Sequence, residues 1–216
     1  DDAIGNLYYN NGYVFYRLDP VEVNVVGDSI DLEMRIQEGR QATFNHVRIS
    51  GNDRVYENVI RRELRTKPGD LFSMDNIKRS IQDLAQMNQF DPEALQAQFG
   101  QNGIKPDPVS GTVDLNYPLT SKGGDQIELS AGWGQTGIVG RVGLKFTNFS
   151  VQNLFRKGYK RAGFIPQGDG QTLSLQVQTN GTYYQNYALS FLEPWLGGKR
   201  PNQLSFSISY SKQSDV

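Results

Sequence analysis

Five runs of alternating residues in the second half of the chain constrain its fold more than any other feature. Each run has apolar or aromatic residues at every second position and small or polar residues between them, the pattern of a strand with two different faces. The runs approach the length of about 9–11 residues that a tilted strand needs to cross a bilayer. Their apolar positions fall within residues 127–133, 142–146, 173–177, 187–191 and 204–210.

Two architectures fit this alternation. In a membrane barrel the apolar face meets lipid and the polar face lines the lumen, whereas in a soluble sandwich the apolar face packs inward. A barrel needs about eight strands to close, so on that reading further strands would lie beyond Val216. An Asn180-Gly181 pair between the third and fourth runs predicts a two-residue hairpin.

The first half of the chain reads as mixed α and β. Alternation predicts strands over residues 30–36, 43–49 and 113–119, with another around 104–106. Before them lie a helix and a strand interrupted by Pro20, which favours an edge position because proline cannot donate to a sheet.

Helix signals follow the second of these strands. Asp53 is predicted to cap a helix with Val55, Val59, Ile60 and Leu64 on one face. Ser73 is predicted to cap a second helix, and residues 91–102 to be irregular and partly helical.

Composition removes several functional classes. There are 22 Lys and Arg against 23 Asp and Glu, which argues against a nucleic-acid partner. The chain has no Cys and one His, which excludes thiolate metal sites, thiol catalysis and any site with two imidazoles. No run approaches the 18 apolar residues of a membrane-spanning helix.

The sequence motifs that could indicate cofactor binding, metal binding or catalysis are better explained as structural features. Residues 132–137 match the spacing G-x-G-x-x-G, but the alternation after them predicts a strand instead of the helix that dinucleotide binding requires. Residues 168–170 hold one carboxylate, too few for calcium. His46 is expected to be a surface residue, and neither Asp1-Asp2 nor Glu22 forms an acid pair with a nucleophile. We expect no enzyme, no cofactor and no metal site.

Two basic clusters remain as candidate interaction sites. Arg61, Arg62 and Arg65 could dock an acidic partner domain. The other cluster, which would lie at the membrane rim near anionic head groups, contains Arg156, Lys157, Lys160 and Arg161.

The order of these segments is similar to a known family. Residues 31–39 followed by 44–52 resemble the junction between consecutive POTRA domains, and residues 61–65 before Pro68-Gly69 fit the same pattern. The strands from Ile127 onward, with residues 148–150, 168–171 and 193–198, resemble the start of the barrel in the outer-membrane barrel-assembly insertases of the POTRA-plus-barrel superfamily. Residues 91–108 and 151–168 are longer than the corresponding connections usual in that family.

The resemblance implies an α+β chain in which POTRA (β-α-α-β-β) units precede antiparallel transmembrane β-barrel strands, the barrel being incomplete. Residues 1–40 would be the C-terminal part of one POTRA domain, 41–122 a complete final POTRA domain, and 123–216 about five barrel strands.

The resemblance also implies a function. The protein would fold and insert β-barrel proteins into the outer membrane of a Gram-negative-type bacterium, with its POTRA domains docking partners in the periplasm. Its partners would be unfolded barrel proteins, accessory lipoproteins docking at Arg61, Arg62 and Arg65, and outer-membrane lipid. The first barrel strand would template client strands by strand addition, through Gln126, Ile127, Glu128, Leu129, Ser130 and Ala131.

Two other functions remain open at this point. A polypeptide secretion pore has the same POTRA-plus-barrel architecture, and fold alone does not separate it from an insertase. A soluble periplasmic adhesin would combine an α+β domain with a sandwich.

Overall fold

The computed structural model of the protein describes residues 3–134, 137–158, 165–181 and 183–214. The chain divides into two compact units. The first is built from Asp1–Ser50, Leu64–Asp83 and Glu93–Leu119, and the second from Gly51–Glu63, Leu84–Pro92 and Thr120–Val216. Both units therefore take up parts of the region between residues 41 and 122.

The first unit begins with a helix and a hairpin. Helix α1 (Ala3–Asn10) precedes β1 (Arg17–Val26) and β2 (Ser29–Gln37), which pair antiparallel as a two-stranded sheet. Pro20 lies opposite Met34 in this pairing, and the register shifts shortly after it. The prediction that Pro20 lies in an edge strand is confirmed, since β1 is one of only two strands in this described sheet.

The second sheet of this unit contains the strands predicted by alternation. Its order is β3 (Thr43–Ser50), β5 (Thr112–Pro118) and β4 (Ile104–Asp107), with β5 parallel to β3 and antiparallel to β4. Alternate residues of β5, Val113, Leu115 and Tyr117, are fully buried. Burial raises the pKa of Tyr117, whose hydroxyl lies 2.9 Å from Thr66 Oγ1.

Two long helices accompany this sheet in the sequence. Helix α3 (Met74–Gln86) begins after Ser73, whose hydroxyl accepts a hydrogen bond from the Asn76 N–H at 3.3 Å, so the predicted cap is confirmed. Helix α4 (Pro92–Asn102) occupies the stretch predicted to be irregular and partly helical, so the helical part of that prediction is confirmed and the irregular part is wrong. Its buried Leu95 and Phe99 lie one turn apart, and with it the POTRA-like region has three helical segments instead of two.

The predicted cap at Asp53 is wrong. Helix α2 spans only Glu57–Arg61, and it is preceded by Tyr56 in an extended conformation without a side-chain cap. The Tyr56 N–H donates to the Gly168 carbonyl at 3.0 Å, and the Arg54 carbonyl accepts from the Asn148 amide at 2.6 Å. These long-range bonds hold residues 54–56 outside the helix.

The second unit carries a five-stranded antiparallel sheet in simple chain order. Its strands are β6 (Gln126–Gly134), β7 (Gly137–Phe149), β8 (Gln171–Asn180), β9 (Tyr184–Glu193) and β10 (Leu204–Gln213). A short helix, α5 (Val151–Phe155), lies in the connection from β7 to β8. The α+β fold class predicted from the sequence is confirmed.

Two turns test predictions made from glycine motifs. Asn180 pairs with Tyr184, so the β8–β9 connection is three residues long instead of the predicted two. Gly134 pairs with Gly137 and β7 follows directly, so the G-x-G-x-x-G spacing belongs to a hairpin. Its positions 135 and 136 lie outside the described residues.

Candidate strand-pairing site

The outer edge of β6 is the candidate functional site. β6 is the terminal strand of its sheet and pairs with β7 through nine consecutive partners, from Gln126 opposite Lys145 to Gly134 opposite Gly137. Among the described residues, no strand pairs with the other edge of β6. An edge of this length is a template for adding a further strand.

The register identifies which backbone groups face that edge. The Gly181 N–H donates to the Ile138 carbonyl at 2.8 Å, so the backbone groups of Ile138 point away from β6. Its partner Trp133 therefore forms a non-hydrogen-bonded pair with β7, and its own N–H and C=O point to the open edge. By the alternation of an antiparallel ladder, Ile127, Leu129 and Ala131 point the same way.

This geometry divides the six residues predicted from sequence to bind a client strand. Ile127, Leu129 and Ala131 direct their backbone groups to the open edge, whereas Gln126, Glu128 and Ser130 direct theirs to β7. Trp133 belongs with the first group and was missed by the prediction, although the alternation that predicted the strand already includes it.

One face of the five-stranded sheet is apolar and exposed. Residues that are direct neighbours across the strands form rows, and one such row contains Ile127, Leu144, Leu175, Leu189 and Ile208. Ile127 and Leu129 are each 73% exposed and Trp133 is 83% exposed. Because a contiguous exposed apolar surface of this extent is unusual on a soluble protein, it indicates contact with lipid or another apolar surface.

The opposite face of the sheet is polar and carries few charges. Glu128, at the open edge, lies 3.8 Å from Arg141 of β7, which in turn donates to Gln176 Oε1 at 3.0 Å. Gly143 lies opposite Glu128, and an added Cβ there would make ordinary van der Waals contact with the Glu128 side chain. The one charged side chain of β6 is thereby directed over β7, which leaves the open edge clear of charge.

A network of buried polar side chains connects the start of α2 to the β7–β8 connection. Asn153, 3% exposed, donates from Nδ2 to the Tyr56 hydroxyl at 2.8 Å and to the Gln167 carbonyl at 2.7 Å. Ser150 donates to Asp169 Oδ2 at 2.5 Å. Because buried polar groups are costly unless they are paired, this network specifies one arrangement of these segments.

Gly168 is required at its position in this network. Its φ is +138°, and a Cβ there would lie 2.6 Å from the Tyr56 ring. Its N–H also donates to the Asn148 carbonyl at 3.0 Å. A side chain is therefore excluded both by backbone conformation and by space.

The residues that follow α2 make a hydrogen bond and a cation–π contact with the β9–β10 connection. The Trp195 indole donates from Nε1 to Glu63 Oε1 at 2.6 Å, and the Arg62 guanidinium carbon lies 5.4 Å from the centre of the Trp195 ring. Burial lowers the pKa of Arg62, and the carboxylates of Glu193, Glu63 and Asp169 oppose that shift.

The three arginines predicted to dock a partner have different environments. The Arg62 guanidinium lies over the Trp195 ring, and the Arg62 side chain is only 13% exposed. Arg61 is exposed and forms an ion pair with Glu57 at 2.6 Å. Arg65, which belongs to the first unit, is exposed and forms an ion pair with Asp83 at 2.8 Å.

The remaining residues considered from sequence have structural environments too. His46 is exposed and lies 3.1 Å from Asp114, whose pKa is lowered because its hydrogen bonds with His46 outweigh the opposing effect of desolvation. Arg156 and Lys157 are exposed at the end of α5, whereas Lys160 and Arg161 of the same cluster, like Asp1 and Asp2, lie outside the described residues. In the described part of the chain, no three His, Asp or Glu side chains come together as a metal site. No helix in that part is long and apolar enough to cross a membrane.

Comparison with known families places residues 42–122 in a recognised domain. These residues match the family model for POTRA, described as a surface antigen variable number repeat. The matched span begins just before β3 and ends shortly after β5.

Similar proteins cover a larger part of the chain. It is 28% identical over 201 residues to the outer membrane protein assembly factor BamA of Neisseria meningitidis serogroup B, covering 89% of this chain and 22% of the relative. It is 25% identical over 168 residues to BamA of Nitratidesulfovibrio vulgaris, covering 74% of this chain and 19% of the relative. The chain thus spans about a fifth of the length of these curated relatives.

A solved structure shares the fold. The crystal structure of BamA from Haemophilus ducreyi lacking POTRA domains 1–3 superposes with a TM-score of 0.69 over 97% of this chain and 35% of that chain, at 19% identity. The chain therefore shares its fold with part of that BamA structure.

Proposed function

Because residues 42–122 match the POTRA family model and the chain is similar to BamA over most of its length, we propose that the protein folds β-barrel proteins and inserts them into the outer membrane. In this proposal residues 1–40 are the C-terminal part of a preceding POTRA domain, 41–122 the final POTRA domain in the periplasm, and 123–216 the first strands of an outer-membrane barrel. The open edge of β6 is the observation that carries the proposal.

The energetic argument starts from the backbone groups at that edge. Ile127, Leu129, Ala131 and Trp133 together present four N–H and four C=O groups. An unpaired backbone group in hydrocarbon costs several kcal/mol, so the bare edge would cost on the order of tens of kcal/mol. The edge must therefore be paired whenever it lies in the membrane. A strand of an unfolded barrel protein can satisfy it by strand addition.

Each of three surfaces suits one kind of partner: the open edge of β6, the apolar face of the five-stranded sheet, and the exposed arginines. Unfolded barrel proteins pair with the outward backbone groups of β6, which belong to Ile127, Leu129, Ala131 and Trp133. Lipid covers the apolar face of the sheet, which fits a placement in the outer membrane. Accessory lipoproteins dock at the exposed Arg61 and Arg65, whereas Arg62 stabilises the Trp195 contact instead of binding a partner.

Cross-linking in the full-length protein tests the pairing. Toward an added antiparallel strand, Glu128 and Ser130 occupy non-hydrogen-bonded pairs, which bring Cα atoms to about 4.5 Å compared with about 5.5 Å in hydrogen-bonded pairs. Single cysteines at Glu128 and Ser130 should therefore form disulfides with a cysteine-bearing client strand faster than a cysteine at Leu129. Adducts only with the protein's own chain, together with a secreted soluble passenger, would make it a secretion pore and overturn the proposal.

A pair of substitutions separates backbone pairing from side-chain contact. Leu129→Pro removes an N–H that faces the open edge, whereas Leu129→Ala removes most of the side chain and keeps the N–H. We expect client insertion to fall much further with Leu129→Pro than with Leu129→Ala. Equal losses in the two variants would mean that the edge does not act through its backbone.

A further inference from the structure

Helix α5 presents two apolar side chains to solvent at the end of the β7–β8 pair. Phe155 is 79% exposed and Leu154 is 49% exposed. Arg156 and Lys157, also exposed, follow them directly, and residues 151–158 contain no carboxylate. A short amphipathic segment that joins apolar and cationic residues is typical of membrane-surface contacts.

The opposite side of α5 is fixed to the rest of its unit. Ser150 caps the helix by accepting from the Asn153 N–H at 3.1 Å. The Val151 N–H donates to Gln171 Oε1 at 2.8 Å, and the Asn153 side chain is buried in the polar network around Tyr56. Because Asn153 cannot leave that network without losing its hydrogen bonds, Leu154 and Phe155 cannot turn inward to bury themselves.

The position of α5 along the strands fits the head-group level of a bilayer. Gln126 of β6, Phe149 of β7 and Gln171 of β8 lie at one end of the sheet, as their pairing shows. At this end of the sheet, buried polar residues follow the alternating apolar residues of the strands. Helix α5 begins two residues after Phe149. Arginine and lysine near such a boundary extend their charges toward anionic head groups while their stems cover apolar surface.

We propose that α5 is a membrane-surface contact, in which Leu154 and Phe155 enter the head-group boundary and Arg156 and Lys157 bind anionic phospholipid. The inference rests on the proposed function, because it requires the five-stranded sheet to lie in the membrane. It explains why the protein keeps two large apolar side chains in an exposed position. It also assigns a role to α5 and the two basic residues that follow it in the β7–β8 connection.

Site-directed spin labelling of the full-length protein in vesicles tests the contact. The vesicles contain phosphatidylcholine and phosphatidylglycerol, and one label is placed at a time through Phe155→Cys, Val142→Cys or Val109→Cys. Val142 lies on the apolar face of β7 and reports whether the sheet is in lipid, whereas Val109, 86% exposed in the first unit, serves as the aqueous control. Leu154→Cys replaces Phe155→Cys if that variant does not fold.

The accessibility of each label to oxygen and to a water-soluble nickel complex distinguishes the outcomes. We expect the label at Phe155 to be accessible to oxygen and protected from nickel, like the label at Val142. Access to nickel at Phe155 alone, or protection from both reagents by a protein partner, would overturn the inference and leave the proposed function standing. Access to nickel at Val142 as well would overturn the membrane placement itself.

The contribution of charge is tested separately. Arg156→Gln with Lys157→Gln should weaken lipid contact of the Phe155 label about 25-fold in anionic vesicles, since each basic residue contributes about five-fold near an anionic surface. In vesicles of phosphatidylcholine alone the substitutions should have little effect. Lys105→Gln, an exposed change in the first unit, is the matched control. Equal effects in both kinds of vesicle would contradict binding to anionic head groups.

Discussion

Gly168 offers the sharpest test of the junction between α2 and the β7–β8 connection. Gly168→Ala must place a methyl group 2.6 Å from the Tyr56 ring at a φ of +138°. A backbone held in such a region costs about 1–3 kcal/mol, and overpacking costs about 1–3 kcal/mol more, so the free energy of unfolding should fall by about 2–6 kcal/mol. The Tyr56 ring cannot retreat freely, because its hydroxyl is bonded to Asn153.

The measurement is denaturant unfolding of the full-length protein in detergent. Trp195 reports on the junction through its fluorescence in a background where every other tryptophan of the full-length protein, Trp133 among them, is replaced by Phe. Gly158→Ala is the matched control, because Gly158 has a φ of +85° but, among the described residues, no atom within 4 Å of an added Cβ, so it tests backbone strain. If Gly168→Ala is no more destabilising than Gly158→Ala, the proposed close contact with Tyr56 is refuted. Adding Tyr56→Ala should recover the part of the loss that is due to overpacking.

Three further predictions concern single interactions. Ser73→Ala should destabilise the first unit by about 1 kcal/mol through loss of the α3 cap, whereas Ser73→Asp should preserve stability in the same thermal unfolding measurement. Asp114 has a lowered pKa in the folded state, so its contribution to stability is present above its unfolded pKa of about 3.9 and is lost as pH falls through the folded value. Asp114→Asn should therefore weaken the fall of the unfolding free energy at acid pH. An unchanged pH profile of stability would contradict the role of the hydrogen bonds between Asp114 and His46. Trp195→Phe keeps an aromatic ring but loses the bond to the Glu63 carboxylate, and should cost about 1.5–3 kcal/mol. Loss of the same amount in a Glu63→Leu background, which has no acceptor for the indole N–H, would show that this bond is not the cause.

Much of the sheet architecture could be predicted because alternation is a local property of the sequence. Each of the five strands in the second unit follows from its own side chains, and the buried Val113, Leu115 and Tyr117 of β5 have the same origin. The cap at Ser73 is likewise local, since it joins residues three positions apart.

The incorrect predictions have two kinds of cause: hydrogen bonds between residues far apart in the sequence, and helix-start residues that the prediction did not use. Asp53 was predicted to cap a helix. Hydrogen bonds between residues 54–56 and Asn148 and Gly168 keep these residues out of the helix, which begins at Glu57. Helix α4 could have been found, because Pro92 at its first position and Glu93 in its first turn are ordinary helix-start signals.

The candidate site was predicted in part for the same reasons. Alternation located β6, but only the register with β7 shows which of its residues direct backbone groups outward. The role of Arg62 could not be anticipated, because its partner Trp195 lies more than a hundred residues away in the sequence. The environment of Arg62 therefore differs from that of Arg61 and Arg65, which are exposed.

If β6 pairs with client strands as proposed, the spacing of its outward backbone groups limits how a client strand can be aligned. Those groups recur at every second residue, about 6.8 Å apart. A partner strand can therefore change its alignment only in steps of two residues if its apolar side chains are to stay on the lipid side. A slip of one residue would keep the chain alongside β6 but turn every polar side chain of the client into the hydrocarbon. Under the proposed function, alignment errors would thus be rejected by the membrane itself, and the edge would accept clients of many sequences without reading their side chains.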